Sequence, residues 1–225
     1  MSENRPPSVD SGRYGEDYYR QSCGGGEFFA AFGPRILKPQ LAYALSRAGL
    51  SPGMTVLDAG CGRGELLFQV RAAGIRGVGS DYAAAALPLA RKVSGAPVLR
   101  CDVRSLPFTS GSFDLIFFIG VIDHLHEWEL KAAFAEFKRV LKPGGRVLIH
   151  TCVNRTYYKN WSFGLRRALA RIFGLKDPAP PRSDEDAALH VNEHSLGDLA
   201  RFLAEIGWEH RIEPMPNYKH LAREL

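Results

Sequence analysis

The stretch Val56-Leu57-Asp58-Ala59-Gly60-Cys61-Gly62-Arg63-Gly64-Glu65 brings a carboxylate and three glycines into one turn. An apolar run leads into Asp58, and a helical pattern starts at Glu65. Glycines there let the backbone adopt positive φ and let a ligand approach closely. Free N–H groups and the start of a helix favour an anionic or polar ligand group. The spacing is Asp-x-Gly-x-Gly-x-Gly, whereas dinucleotide dehydrogenases use Gly-x-Gly-x-x-Gly. Asp81 ends a second apolar run, where a carboxylate can accept both hydroxyls of a ribose. Asp102 follows a third run, and Gly120 to Glu127 follow a fourth. That last stretch holds Asp123, His124, His126 and Glu127. Imidazole titrates near neutrality, so His124 is the candidate general base, with a purely structural hydrogen bond as the alternative. That loop has no His-x-x-x-His spacing, and Cys23, Cys61, Cys101 and Cys152 form no CxxC pair, so no metal is expected there.

These groups need a scaffold that presents successive strand ends together. Short apolar runs at 55–57, 77–79, 97–99, 113–119 and 146–150 alternate with helical patterns at 65–73, 83–93 and 129–141. That alternation predicts an α/β fold with a doubly wound, mostly parallel sheet covered on both faces. A helix is expected over 34–50, a tight turn at Pro143-Gly144-Gly145, a helix capped by Ser195, and a last strand over Trp208 to Ile212. Residues 1–13 read as a flexible tail. Residues 14–225 read as one domain, with an N-terminal helical cap over 14–50 and a basic, aromatic insertion over 151–190.

The composition is that of an ordinary globular protein, with 45% hydrophobic and 24% charged residues. Scattered cysteines argue against a disulfide framework and for a reducing, cytoplasmic setting. The net charge of +5 is mild. Residues 151–182 alone hold seven Lys/Arg against Asp177, which exceeds the excess of the whole chain.

The motif set resembles the class I S-adenosylmethionine-dependent methyltransferases, and within them the broad bacterial group related to ubiquinone and menaquinone methyltransferases. The resemblance is strong over 54–151 and rests on the glycine turn, Asp81, Asp102-Val103, Ser112-Phe113-Asp114-Leu115-Ile116 and Arg139-Val140-Leu141-Lys142-Pro143-Gly144-Gly145. It implies a Rossmann-like fold and S-adenosyl-L-methionine as cofactor. It further implies a cofactor site of Asp58, Gly60, Gly62, Gly64, Asp81, Tyr82, Asp102, Val103 and Gly120. The family sheet carries a seventh strand beside the fifth, for which this chain offers no clear counterpart.

Methyl transfer from a sulfonium needs mainly positioning, and a hydroxyl acceptor also needs a base. The expected function is therefore methylation of a small or medium organic acceptor, at oxygen, with Tyr14, Tyr18, Tyr19, His124 and Tyr157 around the acceptor. No Asn/Asp-Pro-Pro-Tyr/Phe follows the fourth strand and no Pro-Cys nucleophile appears, which disfavours nucleic acid. An RNA-directed enzyme and a non-catalytic S-adenosylmethionine-binding module remain the alternatives. Residues 155–176 read either as a cap on the acceptor pocket or as a peripheral membrane contact.

Overall fold

The computed structural model describes residues 5–151, 162–178 and 188–215. Two α-helices precede the sheet among the described residues, α1 (Gly26–Phe32) and α2 (Pro39–Arg47). The expected single helix over 34–50 is broken there. A 3-10 turn covers Gly33–Arg35, and Lys38 is extended at ψ 149°. The cause is Pro39, which disfavours helical backbone at the residue before it and then starts α2 at its first turn.

Strand β1 (Thr55–Ala59) is followed by α3 (Glu65–Ala72) and β2 (Arg76–Asp81), then by α4 (Ala86–Ser94) and β3 (Val98–Arg100). The chain returns through β4 (Phe113–Ile119), α5 (Glu127–Val140) and β5 (Leu141–His150). All pairings are parallel, in the order β3-β2-β1-β4-β5. The winding reverses between β1 and β4, so their carboxyl ends open the crevice where such sheets bind ligands.

Each sheet face has its own core. On one, Leu57, Ile116 and Phe118 pack against Leu130, Phe134 and Phe137 of α5. On the other, Val56, Leu115 and Phe117 pack against Leu66 and Val70 of α3. The expected turn at Pro143-Gly144-Gly145 is an irregularity inside β5: Leu141 pairs with Phe113, and pairing resumes with Arg146 opposite Leu115.

Past the sheet come α6 (Phe163–Ile172) and α7 (Leu196–Glu205). Ser195 caps α7 as expected, its hydroxyl accepting from the Asp198 N–H at 3.1 Å. The strand expected over Trp208 to Ile212 does not form. Trp208 instead sets its ring edge-on to Phe134 of α5 at 5.4 Å, and Ile212 packs on the same core. Burial of the indole won over pairing along β5.

Residues 5–13 make contacts with the rest of the chain. The Ser8 hydroxyl accepts from Arg104, the Pro7 carbonyl lies 3.2 Å from His126 Nε2, and Arg5 lies over the Trp128 ring.

Candidate cofactor and acceptor site

The glycine turn leaves β1 buried and is pinned to β2, with the Gly60 and Cys61 N–H groups donating to the Ser80 carbonyl. Gly60 has φ +80°, and a Cβ there would lie 2.4 Å from Val121 Cγ2. The turn and the loop after β4 are thus in van der Waals contact only because position 60 lacks a side chain. Gly64 has φ +81°, and its Cβ would meet the Ala90 backbone oxygen at 2.9 Å. Its role is the close approach of α3 to α4, and it is absent from the walls of both cavities described below.

The larger cavity, about 850 Å³ including its open mouth, lies over the carboxyl ends of the strands. Its walls include Gly60, Gly62, Asp81, Tyr82, Asp102, Val103 and Gly120, together with Tyr14, Tyr18, Tyr19 and His124. The expected cofactor and acceptor residues therefore converge, apart from Gly64, from Asp58, which lines the smaller cavity, and from Tyr157, which lies outside the described residues.

Asp81 is buried and accepts from the Gly62 N–H at 2.9 Å, the Ala83 N–H at 3.0 Å and the Tyr19 hydroxyl at 3.1 Å. Burial raises its pKa, and these bonds oppose that. Asp102 is bound by Arg104, whose guanidinium also reaches Glu129 at 2.7 Å. Glu129 is almost wholly buried and accepts the His126 N–H as well. Arg104 thus ties the loop after β3 to the start of α5, and sequence reasoning missed it.

The smaller cavity adjoins the first behind Gly60 and Gly62 and is lined by Asp58, Lys38, Cys61, Arg63 and Glu65 among others. Asp58 is buried at 4% exposure, with no hydrogen bond or ion pair to its carboxylate among the described residues. Burial, reinforced by the Asp81 and Glu65 charges, raises its pKa to about 7. An uncompensated carboxylate in a cavity suits a ligand cation. Arg63, buried beneath the turn, donates to the carbonyls of Tyr19 and Gly24 and to Glu65. It fastens the N-terminal segment over the glycine turn. Lys38 and Arg63 bear no local motif that would have marked them.

His124 stands on the loop after β4, its Nδ1 3.1 Å from the Tyr14 hydroxyl and its ring 4.6 Å from that of His190. Burial, with the His190 charge adding, lowers its pKa to about 4. A backbone hydrogen bond to Leu189 opposes this, as a carbonyl accepting a ring N–H does. The imidazole is therefore neutral near pH 7, held between Tyr14 and Leu189. Burial raises the Tyr14 hydroxyl pKa, so it stays protonated. Asn192 holds the same loop through the carbonyls of Asp123 and Leu125. Among the described residues no cluster could hold a metal ion.

Residues 57–149 match the methyltransferase domain family. The chain carries a class I methyltransferase domain. Its cofactor is S-adenosylmethionine. A ubiquinone/menaquinone biosynthesis C-methyltransferase from Burkholderia vietnamiensis is 35% identical over 117 residues, 48% of this chain and 47% of that one. The tRNA (carboxymethyluridine(34)-5-O)-methyltransferase of Mus musculus is 31% identical over 162 residues, 65% of this chain and 24% of that one. An S-adenosylmethionine-dependent methyltransferase from Thermotoga maritima shares the fold at TM-score 0.57 and 18% identity, over 86% of this chain and 80% of that one. The matched stretches span 21% to 55% of the curated relatives' own lengths.

The methyltransferase site fits its cofactor in two respects. Asp58 offers a buried carboxylate with no protein cation on it, and Gly60 and Gly62 border both cavities. Asp81 fits less simply. A carboxylate has about four acceptor positions, and at least three are taken by protein donors. Holding both hydroxyls of a ribose requires one donor to yield, and Tyr19 is the only one on a side chain.

Proposed function

We propose that the protein transfers the methyl group of S-adenosylmethionine to the oxygen of a small or medium organic acceptor. Bound S-adenosylmethionine supplies a methyl on a sulfonium, already activated, so the chain's task is to hold and orient. Asp58 takes the methionyl ammonium. Asp81 takes the ribose once Tyr19 turns aside, and Tyr82 and Val103 border the adenine. Asp102, held by Arg104, keeps the loop after β3 in shape, which leaves the neighbouring backbone to meet the adenine amine. An acceptor hydroxyl gives its proton to the Tyr14–His124 pair, where a neutral imidazole Nδ1 can receive it through the Tyr14 oxygen. The observation that supports this reading is the convergence of Asp81, Gly60, Tyr14 and His124 on one cavity. Calorimetric titration with S-adenosylhomocysteine tests it, followed by a methyl-transfer screen over a panel of hydroxyl compounds. Binding by the wild type and weakening by about tenfold in Asp81→Asn are expected. No binding by the wild type overturns the reading.

A second reading, methylation of RNA, is favoured by the basic segment 151–182 and by relatives named as tRNA methyltransferases. It predicts RNA binding that weakens steeply with salt. Absent or salt-insensitive binding rejects it.

A further inference from the structure

Half of the large apolar side chains that stand exposed among the described residues lie in one stretch: Leu165, Leu169, Ile172, Phe173 and Leu175. On α6, Leu165, Ala168, Leu169 and Ile172 recur at the i, i+3, i+4, i+7 spacing of a single helix face. Globular proteins turn such a face inward. Here Ala170, on the opposite side, is the one buried residue of the helix, while Leu165 and Ile172 are 61% and 74% exposed. None of the residues 162–178 lines either cavity.

Charge accompanies the apolar face. Asp177 is shared by Arg167 at 3.2 Å and Arg171 at 3.3 Å. Arg166 and Lys176 have no carboxylate partner among the described residues. An exposed aliphatic stripe flanked by cations has few suitable occupants. RNA would satisfy the cations but leave Leu165, Leu169 and Ile172 in water. A second copy of the helix would cover the stripe but set its basic residues against like charges. An anionic bilayer surface satisfies both.

We infer that α6 lays its apolar face into an anionic membrane surface, with Arg166 and Lys176 at the headgroups. The helix lies on the bilayer and does not cross it. Ten residues of helix reach about 15 Å, half of the roughly 30 Å hydrocarbon core. Among the described residues no helix is long and apolar enough to span.

Flotation of the full chain with vesicles tests this. Vesicles of phosphatidylcholine alone are compared with vesicles of phosphatidylcholine and phosphatidylglycerol in equal parts. The protein should float with the anionic vesicles and far less with the neutral ones. The double variant Ile172→Asp/Phe173→Asp should lose flotation by about tenfold or more, since burial of either side chain contributes that much. Arg166→Glu/Lys176→Glu should lose about fivefold per charge on anionic vesicles, and little on neutral ones. All four side chains face solvent, so thermal unfolding and S-adenosylhomocysteine binding should be unchanged, which separates this inference from the proposed methyl transfer. Failure of the wild type to float overturns it, and so does flotation indifferent to Ile172→Asp/Phe173→Asp. RNA retention without flotation also overturns it, as does a dimer by light scattering that the same variant dissolves.

Discussion

Replacing Asp58 by asparagine keeps the shape of a buried side chain and removes its charge. Burial and the neighbouring carboxylates move this group from an ordinary 3.8 to about 7. At about 1.4 kcal/mol per pH unit, keeping it ionised costs the folded protein about 4 kcal/mol. The raised value means that the folded state binds more protons than the unfolded chain between about pH 4 and pH 7. The unliganded protein therefore loses stability as pH rises through that window. Above it, Asp58→Asn should unfold at a higher temperature, by about 2–4 °C for each kcal/mol relieved. Ligand binding should run the other way. An ammonium placed on Asp58 favours the ionised form, so S-adenosylhomocysteine should bind about tenfold more weakly at about pH 6 than at about pH 8. Methylthioadenosine lacks the ammonium and should show no such slope. Asp58→Asn should flatten the slope and weaken S-adenosylhomocysteine by about tenfold or more, the worth of a hydrogen bond to a charged group. Calorimetric titrations at both pH values, with melting curves of the free proteins, read all of this. Affinity independent of pH in the wild type would refute the reasoning, as would a variant that binds S-adenosylhomocysteine undiminished or melts lower at about pH 8.

Three further outcomes follow from the same geometry. Gly60→Ala puts a Cβ 2.4 Å from Val121 at φ +80°, and should cost about 2 kcal/mol in urea unfolding. Arg104→Met leaves Glu129 buried without its guanidinium and should cost about 3 kcal/mol, part of which Glu129→Gln should restore in a double-mutant cycle. His124, lowered from 6.5 to about 4, leaves the unfolded chain with more protons across that interval, so it removes stability as pH falls through it. His124→Gln should abolish that loss in urea unfolding followed across the window; the slope opposes that of Asp58, so the two single variants should tilt the stability profile in opposite directions.

Local chemistry is what the sequence made legible. The glycine turn, Asp81 and the loop after β4 each sit at a strand end, and strand ends follow from the alternation of apolar runs. Parallel winding then brings those ends together whatever the loops contain. Contacts between distant segments had no such signature. Tyr19 on Asp81, Arg63 under residues 19–24, and Arg104 between Asp102 and Glu129 join pieces that no spacing rule relates. Gly64 stands in the glycine turn yet meets the Ala90 backbone, because ligand turns and close helix packing both select glycine. Trp208 to Ile212 read as a strand because a buried indole and a pairing strand carry the same apolar signal.

The two halves of the site answer to different parts of the chain. Asp58, the glycines, Asp81 and Val103 all lie within the stretch matched to the family, residues 57–149. The acceptor side is closed by others. Tyr14 and Pro7 reach the loop after β4 from the N-terminal side, and His190 and Asn192 grip it from beyond the sheet. All four lie outside that stretch. His124 itself is inside it, yet its proton affinity is lowered by burial and by His190, and the Leu189 backbone opposes that lowering. A change in either flanking segment would therefore retune His124 and reshape the cavity wall around it without touching Asp58 or Asp81. Likeness across 57–149 accordingly carries over the cofactor half of the chemistry, and on the proposed reading the acceptor is chosen by the flanks, where this chain also places its exposed basic helix.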